Sequence, residues 1–278
     1  MNVSMTAADA TVYTPQWIDF CNIDECLPMD CSQLAARQAR LSKPELQDLQ
    51  GRIVGPRGIL AAFSIQVAEQ GRQAPYLQIL PESTDPTRLM LAEKALEFAL
   101  GCHQRRASGE NPFADLPRAS LCCIVYDDLG PYNLAERYAA SEELRTFDGQ
   151  FFARLIATTH ETVERRVVFK GLLEHFDALL PVEQSIYPEG YRDVQQRYLE
   201  REERLYGTLT LDKPLSEIFA EQTPESLLVS LGERIQLTPS ARYPMPTERH
   251  RSQDQSMGGP EFGTRLIRYF IGGAPQAL

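Results

Sequence analysis

The chain has 278 residues, of which 43% are hydrophobic and 24% charged, so it can bury one substantial core or two smaller ones. Its net charge of -10 argues against general nucleic-acid binding. With no N-terminal apolar h-region and no apolar run of membrane-spanning length, a soluble, cytoplasmic protein is expected.

Residues 1–15 read as a loose leader, and Trp17 to Phe20 as a first strand. Cys21, Cys26 and Cys31 follow at five-residue intervals. That spacing fits a zinc site loosely, but no fourth ligand stands nearby. Ser32 to Leu49 has helical spacing and is split by Pro44. Arg52 to Val54 and Gly58 to Val67 flank Gly55-Pro56-Arg57-Gly58, which predicts a hairpin. Tyr76 to Leu80 reads as a third short strand, ended by Pro81. Thr84-Asp85-Pro86 then starts a helix, because an N-capping residue precedes a proline. Leu89, Ala92, Leu96, Ala99 and Leu100 give that helix an apolar face. Residues 104–117 are polar and read as a surface loop.

Leu121 to Tyr126 is an unbroken apolar run of strand length, the signature of a strand covered on both faces. The adjacent Cys122 and Cys123 inside it predict reduced, buried thiols. Asp127 to Pro131 forms an acidic turn, and Asn133 is a suitable N-cap for a helix through Leu144. Gln150 to Ile156, after Gly149, reads as a further strand. From Thr159 to Pro181 the apolar residues recur at helical spacing. Asp193 to Tyr206 is a highly charged helix whose opposite charges at i,i+4 suit a solvated face, or one used by a protein partner. A short helix is expected from Thr223 to Leu231, with late strands at Glu233 to Leu237 and Arg265 to Ile271. Ser240 to Gly263 reads as a mobile loop or lid.

The expected fold class is therefore α/β (α+β): a mixed sheet flanked by helices over residues 1–157, with a mainly helical C-terminal region over 158–278 packed on it. The hairpin followed by strand, helix, strand, helix and strand resembles the core of the GNAT acyltransferases. Ile79-Leu80-Pro81 leading into a helix, and Asn133 at the next strand-to-helix junction, add to the likeness. It covers about half the chain. The resemblance implies acyl-CoA bound in a splayed sheet, held by Arg88, Tyr132 and Asn133, and transfer to a small amine or polar acceptor. Asp127, Asp128 or Glu136 would deprotonate the acceptor, and Tyr138 would protonate the departing thiolate. The family's glycine-rich pyrophosphate loop is replaced here by Glu82-Ser83-Thr84-Asp85-Pro86-Thr87-Arg88, in which Arg88 alone suits phosphate.

That replacement supports a second reading: a non-catalytic binding or assembly protein with a degenerate cofactor site. A third comes from His175-Phe176-Asp177, which matches half of the facial triad of iron/2-oxoglutarate oxygenases, with His250 as distal ligand and Arg265 beyond. Asp127 and Asp128 could also hold a divalent cation, and Cys102-His103 has the residue types of a nucleophile and its base. The expected partners are a small-molecule ligand or a protein.

Overall fold

A computed structural model describes residues 31–79, 81, 83–103, 109–127, 132–158, 165–223 and 226–227. Among these described residues are ten α-helices: α1 (Cys31–Gln38), α2 (Lys43–Ile53), α3 (Ile59–Gln70), α4 (Pro86–Cys102), α5 (Arg118–Val125), α6 (Leu134–Ala157), α7 (Arg165–Asp177), α8 (Pro181–Gln184), α9 (Tyr191–Tyr206) and α10 (Leu215–Glu221). Short 3₁₀ turns at Gly71–Gln73 and Pro75–Gln78 link α3 to α4.

No strand occurs among the described residues, so the α/β, GNAT-like core is corrected: the elements expected as its strands are helices. Leu121 to Val125 is the decisive case. An unbroken apolar run marks an element covered on every side, and a short helix at the centre of a bundle satisfies that as well as a strand does. In α5 all five residues are buried, packed against α6 and α1. The expected hairpin is a helix-to-helix turn. Its glycines are needed for close approach: a Cβ at Gly55 would lie 2.4 Å from the Gly51 carbonyl oxygen, and one at Gly58 2.6 Å from that of Ile53. The stretch from Gln150 to Ile156 belongs to the 24-residue α6, since Leu144, Phe151 and Leu155 continue its apolar stripe through Gly149. The expected strand at Tyr76 is a 3₁₀ turn over its described residues.

Helix starts follow local chemistry more closely. The Ser42 N–H and hydroxyl donate to Glu45 at 2.7 and 2.6 Å, fixing the start of α2. Pro44 sits in the first turn of that helix, where its missing N–H would have had no intrahelical partner. Asp85 caps α4 by accepting the Thr87 N–H at 3.0 Å. Asn133 caps α6 by accepting the Glu136 N–H at 3.0 Å.

Among the described residues, three apolar clusters form the interior. One spans α1 to α6 and includes Phe63, Leu100, Phe113, Leu121 and Ile124. Phe151, Phe152, Leu155, Val167 and Leu215 build another, between α6, α7 and α10. Leu179, Tyr187 and Tyr191 form the third, where α8 leads into α9. Among the described residues no helix is long and apolar enough to cross a membrane. The two adjacent cysteines are both buried, as expected, but differ in state. Cys122 is a free thiol, whereas Cys123 is disulfide-bonded. Successive residues on a helix point about 100° apart, so neighbours in sequence enter different surroundings. Trp17 to Phe20, Cys21, Cys26, Asp128, His250, both expected late strands and the expected late loop lie outside the described residues, as does most of the helix expected from Thr223.

Candidate functional site

Residues at the end of α5 and the start of α6 do gather, but in the interior. Asp127 is 1% exposed, and its Oδ2 accepts the Tyr132 N–H at 3.0 Å. It links the end of α5 to the approach to α6. Glu136 reaches back from the first turn of α6, and its Oε2 accepts the Asn133 N–H at 2.9 Å. Both carboxylate oxygens of Glu136 also bind Arg88 of α4: Arg88 Nη2 donates to Oε2 at 2.7 Å, and Nη1 donates to Oε1. The Arg88 guanidinium lies 5.1 Å from the centroid of the Tyr132 ring, within cation–π range. Glu136 is 0% exposed.

Five of the residues singled out in the sequence therefore converge: Arg88, Asp127, Tyr132, Asn133 and Glu136. Tyr138 does not join them. Two residues beyond Glu136, it faces another side of α6, with its ring 5.2 Å from Phe63 and 6.0 Å from His103. Burial, followed by the charge of Glu142, raises its pKa. Cys102 is exposed, and His103 Nε2 lies 3.4 Å from Ser64 Oγ.

A second polar centre has no counterpart in the sequence reading. Arg118, at the start of α5, holds carboxylates from two other helices. Its Nε and Nη2 donate to Asp148 of α6 at 2.8 and 2.9 Å. Its Nη2 and Nη1 donate to Glu183 of α8 at 2.8 and 3.2 Å. Cys122 Sγ donates to Glu183 Oε2 at 3.4 Å. Burial and then the Glu183 carboxylate push the Cys122 thiol well above its usual pKa, against the nearby guanidinium. His175 of α7 packs beside Phe151 and Phe152, with Nδ1 4.0 Å from Asp148 Oδ1 and Nε2 buried without a hydrogen-bond partner. Burial lowers its pKa to about 4. Asp177, the other half of the His-x-Asp match, is exposed and bound to Arg192 at 2.7 and 2.8 Å. The two side chains thus lie in different surroundings. Among the described residues no three His, Cys, Asp or Glu side chains are grouped to hold a metal ion.

No known protein family, curated protein or solved structure matches this chain.

One signal for the second centre was present in the sequence. Asp148 falls on the helical stripe of Leu144, Phe151 and Leu155, where spacing calls for an apolar residue. An acid in such a place implies a buried cationic partner. A cleft of about 340 Å³ opens beside this centre, lined by Lys43, Phe176, Tyr187, Gly190, Tyr191 and Arg192 among others. Lys43 Nζ donates to the Tyr187 carbonyl at 3.0 Å across it.

Proposed function

We propose that this chain is a non-catalytic binding or assembly protein. The observation that carries the reading is the state of Glu136. Its carboxylate is fully buried, binds Arg88 through both oxygens, and accepts the Asn133 N–H. A general base needs a lone pair within reach of a substrate proton, and here the oxygens serve the α4–α6 joint. Asp127 is likewise engaged with the backbone. In acyl transfer, the competing reading, Tyr138 would have to act beside these acids, from which it faces away.

The test is a thermal-shift panel of acetyl-CoA, longer acyl-CoAs, and iron with 2-oxoglutarate. A ligand that binds the folded state at about 100 times its Kd stabilises it by about 2.7 kcal/mol. The expected result is no concentration-dependent rise in Tm. A rise with an acyl-CoA would overturn the non-catalytic reading in favour of the transferase, and a rise with iron and 2-oxoglutarate would favour the oxygenase.

A further inference from the structure

The outward face of α9 carries a row of charges whose only hydrogen bonds among the described residues lie within α9 itself, from Gln196 to Glu200 and from Arg204 to the Glu200 carbonyl. Asp193, Arg197, Glu200 and Arg204 are all exposed. They recur at i, i+4, i+7 and i+11, which places them on one stripe of the helix. Their signs alternate along it. The side chains of Asp193 and Arg197 make no ion pair or hydrogen bond among the described residues, while Arg192 on the flank is held by Asp177.

This stripe is complementary to itself in one orientation. A two-fold axis at the level between Tyr198 and Leu199, perpendicular to the helix, sets a second copy antiparallel. Asp193 then lies opposite Arg204, and Arg197 opposite Glu200. Symmetry makes each contact twice, as in any isologous interface. A parallel copy in register would set like charges together. The same axis carries the C-terminal end of α9 to the N-terminal end of its mate. Leu205 is 65% exposed, more than any other large apolar side chain among the described residues, and Tyr206 beside it is 36% exposed. Leu205 reaches the level of Arg192 along the axis and lies about 100° round the helix from the charged stripe, at the rim of the pair.

We propose that α9 is a self-pairing surface, on which a second copy of this chain docks antiparallel. The inference rests on the assembly reading and names its partner. The 16 residues of α9 span about 24 Å. A pair of such helices buries less than the ~1,200–2,000 Å² of a stable interface, so the dimer is weak and salt-sensitive.

Sedimentation of the full 278-residue chain, at about 50 µM and about 50 mM salt, reads this directly. The expected wild-type result is a dimer that dissociates as salt rises to about 0.5 M. Arg197→Glu and Glu200→Arg should each raise its dissociation constant by about tenfold or more, because each puts like charges together twice. The double variant R197E/E200R restores opposite signs and should recover the dimer. All four residues are exposed, so circular dichroism and Tm should match wild type. If one single variant folds poorly, the other, compared with the double variant and with wild type, still decides. A monomer at low salt would overturn the pairing, as would a dimer indifferent to the single changes or not recovered by the double. None of these outcomes bears on the ligand panel, so the two readings fail on separate measurements.

Discussion

Glu136 and His175 are both buried, and their partners make the burial mean different things. Glu136 is an ion whose charge is met by Arg88 and whose oxygens also cap α6. His175 packs between two phenyl rings, and burial, helped by the Arg118 guanidinium, outweighs the pull of the Asp148 and Glu183 carboxylates and favours its neutral form. That difference sets a pH dependence. An unfolded histidine takes up its proton near pH 6.5, and the folded His175 only near 4. Between those values the unfolded state binds more protons, so stability falls as pH drops. Across the window the loss from this group is roughly 3 kcal/mol. His175→Phe keeps an aromatic ring beside Phe151 and Phe152 and removes the titration. Urea unfolding from pH 7 to 4.5 should therefore be flatter in the variant than in wild type. Parallel curves would mean that His175 is protonated in the folded state well above pH 4.

The turn between α2 and α3 shows how an element boundary is set by close approach. Gly55 and Gly58 lie against the backbone at the end of α2, and neither contact can be relieved by a rotamer change. Gly58→Ala should cost about 1–3 kcal/mol through forced backbone shifts. Gly51, inside α2, has nothing within 4 Å of a built Cβ. Gly51→Ala should instead add about 0.5–1 kcal/mol, the usual gain for replacing a helical glycine. Chemical denaturation of the two variants checks both signs. If Gly58→Ala were as stable as wild type, the turn would be looser than this geometry implies.

At the scale of the whole molecule, the Arg118 centre stands where the three apolar clusters meet. Cys122 and Val182 belong to the first, Asp148 sits one turn before Phe151 of the second, and Glu183 lies between Leu179 and Tyr187 of the third. The centre joins α5, α6 and α8 through one guanidinium. Removing that partner leaves two buried carboxylates facing each other. Arg118→Ala should cost about 3–5 kcal/mol, as expected for breaking a buried pair. Because small domains are stable by only about 5–15 kcal/mol, the loss should be plain in a thermal melt. Arg118→Lys should recover only part of it, since an ammonium lacks the fork that serves two carboxylates at once. A loss below about 1 kcal/mol would mean that solvent reaches Asp148 and Glu183 and the centre is not a joint.

What the sequence determined by itself is local. The starts of α4 and α6 were legible because Asp85 and Asn133 cap through contacts only two or three residues away. The charged face of α9 was legible from its spacing, and so was the grouping of Asp127, Asn133 and Glu136, which are close along the chain. Whether Leu121 to Val125 is a strand or a helix was decided by the tertiary structure. An apolar run records that an element is covered, and both a central strand and a short central helix are covered. The partners of Glu136 and Asp148 were decided there too. Arg88 stands 48 residues from Glu136 and Arg118 30 from Asp148, and no periodicity links charges so far apart. Only the packing of α4 and α5 against α6 closes those distances, and with them turns acids that read as catalytic into parts of the core.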